Sequence, residues 1–91
     1  MKLHRDASNR LTAVVDVEAS AFGGLVARIV EQFELAPVGR ATVTWDAAFR
    51  EYASGSCRVS IEWDSWMGLQ VVALSPNSEA LVERIAELVK D

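Results

Sequence analysis

From Cys57 to Asp64 every second residue is apolar: Cys57, Val59, Ile61 and Trp63 alternate with Arg58, Ser60, Glu62 and Asp64. A period of two sends one set to a core and the other to solvent, so residues 57–64 read as a half-buried strand. The peptide Asp64-Ser65-Trp66-Met67-Gly68 that follows has the length of a hairpin loop. Asp favours turn entry, and Gly68 accepts the positive φ that such loops need. Residues 68–74 then return as a more evenly apolar strand, as expected of a central position. Ser75-Pro76 opens a helix over 76–90, with Leu81, Val82, Ile85, Leu88 and Val89 as its buried stripe and Glu79, Glu83 and Glu87 on the solvent side. Lys90 lies near its C-terminal end, where the helix dipole favours a cation.

The first half of the chain repeats these signals. Leu11, Ala13, Val15 and Val17 alternate with Thr12, Val14 and Asp16, which predicts a strand over 10–17. The period then lengthens: Phe22, Leu25, Val26, Ile29, Val30 and Phe33 share one face of a helix over 19–35, opposite Arg28, Glu31, Gln32 and Glu34. Ser20 or Asp16 is the expected cap, and Pro37 the expected stop. Gly23-Gly24 is anomalous there, since each glycine inside a helix costs about 1 kcal/mol relative to alanine; close packing is the simplest reason for the pair. Pro37-Val38-Gly39 predicts a turn, and residues 41–45 or longer a strand. Residues 46–54 fit either a short helix capped by Asp46 or a strand, with local propensity slightly on the side of the helix. Residues 1–9 fit an edge strand or a flexible N-terminus.

Together these elements predict an α+β fold: a two-layer sandwich in which a mainly antiparallel sheet of about four strands carries two amphipathic helices on one face. The expected core is Leu11, Val15, Phe22, Val26, Ile29, Val30, Phe33, Val43, Val59, Ile61, Val71, Leu81, Ile85 and Leu88. Thr12, Asp16, Thr42, Thr44, Arg58, Ser60 and Glu62 fall on the other face of the sheet, leaving it wet or available to a partner.

Composition narrows the functional classes. At 91 residues the chain fits one small domain, with too little material for both a core and a deep cleft. A net charge of −4 and scattered arginines oppose a nucleic-acid partner. No apolar run approaches the ~20 residues that cross a bilayer, and the N-terminus lacks a signal-peptide pattern. A lone cysteine, Cys57, agrees with a reducing compartment, so the expected location is cytoplasmic.

Candidate chemistry is sparse. His4, the single histidine, reads as a surface residue, and Cys57 as core filler on the apolar face of its strand. Neither supports a triad or a zinc site, which needs three or four ligands. No phosphate-binding glycine motif accompanies Gly23-Gly24. No catalytic residue, metal ligand or cofactor is assigned.

What stands out is aromatic and acidic: Trp45-Asp46, and Glu62-Trp63-Asp64-Ser65-Trp66-Met67. Trp63 alternates with the core face and is expected to pack. Trp66 and Met67 sit at a loop tip, either as an exposed anchor for a partner or folded back over the sheet edge. The leading expectation is a small non-catalytic protein-interaction module. It would bind a partner protein, or itself as a homodimer, through the exposed sheet face and the turn, with Trp66, Met67, Glu62 and Asp64 in contact. The alternative is a small-molecule or metal-binding domain, or a minor enzyme, with its site near Trp45, Asp46, Glu62 and Asp64.

Overall fold

The computed structural model describes residues 1–89, so the expected position of Lys90 lies outside the described residues. In chain order the elements are β1 (Lys2–Arg5), β2 (Leu11–Val15), α1 (Ala19–Phe33), β3 (Ala36–Val43), β4 (Ala47–Ser54), β5 (Cys57–Asp64) and β6 (Gly68–Ala73). A short 3-10 turn (Pro76–Ser78) and α2 (Glu79–Leu88) complete the chain. The strands form one antiparallel sheet in the order β1-β2-β6-β5-β4-β3, and with the two helices make a compact α+β fold.

Six strands replace the expected four, and the additions are β1 and β4. The four residues of β1 are all exposed, so no apolar periodicity announces them. Long-range contacts hold this strand instead: its ladder to β2, the Arg5 guanidinium on Glu79 of α2, and the Met1 amine on the Val89 carbonyl. Residues 47–54 are strand rather than short helix. They lie between β3 and β5 and run in register with β5 from Ala47↔Asp64 to Ser54↔Cys57, and those ladder bonds outweigh local helix propensity.

The expected turn at Pro37-Val38-Gly39 lies inside β3. This is an edge strand, where proline's missing N–H faces no neighbour. Gly39, at φ +73°, falls where the register shifts between Val38 and Thr42, a bulge. Arg50 donates to the Gly39 carbonyl from Nε and Nη2, at 3.3 and 3.1 Å. Val43, expected in the core, is 72% exposed, on the strand at the free edge of the sheet.

Helix boundaries differ in detail. Glu18 rather than Ser20 or Asp16 occupies the N-cap of α1, without a side-chain bond, and the helix ends at Glu34 in a left-handed conformation (φ 51°) before Pro37 is reached. Gly23 and Gly24 lie within α1, and a methyl group at either would meet nothing within 4 Å, so close packing is not their reason. Ser75-Pro76 opens the 3-10 turn, and the α-helix begins at Glu79. The Ser78 hydroxyl accepts the Arg58 amide at 2.8 Å, tying this corner to the start of β5.

The buried cluster gathers Ile29 of α1 and Leu81, Val82, Ile85 and Ala86 of α2 with Ala13, Val59, Ile61, Leu69, Val71 and Ala73 of the sheet. Expected core residues Leu11, Val15, Phe22, Val26, Val30, Phe33 and Leu88 pack against it partly buried. Alternation puts Thr12, Val72 and Ser60 on the opposite side of the sheet, in one row with His4 and Glu51, but Thr12 and Ser60, expected on a wet face, are buried there with Val72.

Candidate interaction surface

Three loops meet at one end of the sheet: residues 16–18 between β2 and α1, 44–46 between β3 and β4, and 65–67 between β5 and β6. Strand register brings them together, since Ala47 pairs with Asp64, Asp64 with Gly68, and Val15 with Leu69. The Ser65 amide then donates to the Asp46 carbonyl at 3.0 Å, which joins the two hairpin tips.

Each tip is closed by its own acid. In the first, the Thr44 amide donates to the Ala47 carbonyl at 2.8 Å and the Thr44 hydroxyl to Asp46 Oδ1 at 3.1 Å, leaving Trp45 at the apex. In the second, Asp64 Oδ1 accepts the amides of Trp66 and Met67 at 2.9 and 2.6 Å, while Oδ2 accepts Gln70 Nε2 at 3.0 Å. A short acidic side chain that caps its own turn in this way stabilises the loop locally.

The consequence is two tryptophans held out on adjacent hairpins, Trp45 at 95% and Trp66 at 93% exposure, with Met67 at 43%. Trp66 is not folded back over the sheet edge. Trp63, one residue before the second turn, points inward as expected; its ring meets Phe22 at 6.1 Å between centroids, and Nε1 donates to the Val17 carbonyl at 3.1 Å. Gly68 lets loop 16–18 cross closely: a Cβ there would lie 2.5 Å from the Val15 carbonyl oxygen. Met67 also walls a groove of about 570 Å³ that runs along β1 and β2 past Lys2, His4, Val14 and Asp16. The tip therefore continues onto the sheet face beside it.

The carboxylates considered as a ligand set are divided among other tasks. Asp64 spends both oxygens within its turn, and Glu62, opposite Gln70, accepts the Ser60 hydroxyl at 2.7 Å. Among the described residues no group of three His, Cys, Asp or Glu side chains is placed to hold a metal ion. His4 is exposed on β1 and Cys57 is half-buried against the core. The sequence marked Trp45 and Trp66 separately as aromatics near strand ends; their adjacency depends on β4 lying beside β5, which no local signal carries.

No protein-family model, no curated protein and no solved structure matches this chain. No helix among the described residues is long and apolar enough to cross a membrane.

Proposed function

We propose that this protein is a small, non-catalytic interaction module of the cytoplasm that binds a partner protein through the Trp45 and Trp66-Met67 hairpin tips. One observation carries the reading: two indoles, each more than nine-tenths exposed, stand on neighbouring turns that hydrogen bonds hold rigid. Exposed indoles contribute little to folding. Clustered aromatics are, however, the side chains that dominate protein interfaces, and a pre-formed loop loses little entropy on binding.

In this reading the chain is a two-layer sandwich whose helices cover one face of the sheet. The other face is buried along Thr12, Val72 and Ser60, and its half-exposed end with Glu62 flanks the tips as the rim of the contact. A heterologous partner is favoured over self-association by sheet extension. The β3 edge carries Pro37 and a bulge at Gly39, devices that discourage strand addition. A protein partner is favoured over nucleic acid by the net charge of −4.

The test compares capture of partners by the wild-type chain and by the double variant Trp45→Ala/Trp66→Ala, with light scattering of each. A protein retained only by the wild type supports the reading. Identical capture and identical mass for both chains exclude the tips as the contact.

A further inference from the structure

We propose that the partner of the tryptophan tips is a basic protein segment, whose Lys or Arg side chains lie over the Trp45 and Trp66 indoles and pair with Asp16, Glu18 and Asp46; this rests on the interaction reading above. The tips and the loop beside them, residues 16–18, 44–46 and 65–67, contain three acids and no Lys or Arg. Asp16 and Glu18 are exposed, and their carboxylates make no hydrogen bond or ion pair with any described residue. Asp46 uses one carboxylate oxygen on Thr44.

Three acids elsewhere carry an arginine, whereas Glu31 and Glu34 at the end of α1 are exposed without one. The Arg5–Glu79 and Arg10–Asp6 pairs lie at the far end of the sheet, and Arg58–Glu51 lies toward it. Among the cations on this side, Lys2 stands opposite Val14 at the head of β1. The loops that carry and flank the two indoles thus hold three carboxylates outside any ion pair, with Lys2 beside Asp16 along the groove. Tryptophan is the best aromatic acceptor for a cation over its face, Arg above all, and an acidic surround draws basic partners in faster and selects them over acidic ones. A purely apolar partner would leave Asp16 and Glu18 at the rim without counter-charge, and an anionic membrane would be repelled by them.

The probe is a fluorescently labelled octa-arginine peptide, titrated at low and at physiological ionic strength and followed by anisotropy. Expected is saturable binding that weakens with salt, falls at least tenfold in Trp45→Ala/Trp66→Ala and in Asp16→Asn/Glu18→Gln, and stays within twofold in Glu31→Gln/Glu34→Gln. That last variant removes the same charge from exposed acids of α1 and its C-cap. Equal weakening in the two charge variants means bulk attraction and overturns the inference. So does octa-glutamate binding as tightly, or tryptophan-dependent binding to phosphatidylcholine vesicles without binding to octa-arginine. If octa-arginine fails while a protein is still captured only by chains with intact tips, the basic-partner inference falls and the interaction reading stands. If tip-dependent self-association is the only binding seen, the inference likewise falls.

Discussion

The indole nitrogen of Trp63 donates to the backbone carbonyl of Val17 at 3.1 Å, so the last turn of β5 holds the loop that leads into α1, 46 residues away in sequence. The same ring packs on Phe22 in the first turns of that helix. Replacing Trp63 with Phe keeps most of the apolar contact but removes the donor and part of the ring. The expected cost is about 1–3 kcal/mol, combining a net hydrogen bond with lost packing. Trp45→Ala and Trp66→Ala, at solvent-facing tips, should each stay within about 0.5 kcal/mol of wild type. Urea midpoints at constant slope decide it, and a Trp66→Ala variant as damaged as Trp63→Phe would mean that the tip is structural.

Gly68 combines a φ of +83° with a backbone oxygen 2.5 Å from where a Cβ would stand. Gly68→Ala therefore has to strain its own backbone and push away the Val15–Val17 strand end at once. We expect a loss of at least about 2 kcal/mol, above the usual penalty for a left-handed alanine alone. Thermal unfolding of the variant within a degree or two of wild type would contradict this close crossing.

The opposite sign is expected in α1. Gly23 and Gly24 have helical neighbours on both sides and open space where a methyl group would go. Gly23→Ala and Gly24→Ala should each stabilise by about 0.5–1 kcal/mol, because alanine loses less chain entropy on entering a helix. Destabilisation by either in a denaturant titration would show that something close-packed lies over this helix face.

Acid should weaken the β1–β2 corner. The Arg10 amide, followed by that of Ser8, holds the Asp6 carboxyl below its ordinary range, and the Arg5 guanidinium does the same for Glu79. Since the folded state depresses both values, the unfolded chain binds more protons in the interval between them. The contribution is present above the ordinary carboxylate range near about pH 4 and is lost as pH falls through the lowered values. Both carboxyls are in part open to solvent, so the effect is a modest slope. Glu79→Gln should flatten the decline in melting temperature between about pH 5 and about pH 3, and a decline as steep as that of wild type would show that the Arg5 contact contributes nothing.

Much of the architecture is written locally. The alternation from Cys57 to Asp64 set the bounds and inward face of β5, and the apolar stripes of α1 and α2 identified both helices and most of the core. Asp64 and Gly68 marked the second hairpin turn by their own conformational preferences, and Trp63 declared itself inward by parity. Those features follow from side-chain periodicity and backbone sterics, which act over a few residues.

Other features required the assembled sheet. Residues 47–54 became a strand because β3 and β5 supply hydrogen-bond partners on both sides, β1 because β2 and α2 hold an otherwise featureless segment, and Pro37 was tolerated because β3 is an edge. Above all, only strand order could place Trp45 next to Trp66. The two lie 21 positions apart, each looks like a single aromatic near a turn, and the Ser65–Asp46 bond that joins their hairpins forms only once β4 and β5 are paired. Short-range sterics choose the elements, whereas partners distant in sequence decide which of them become neighbours.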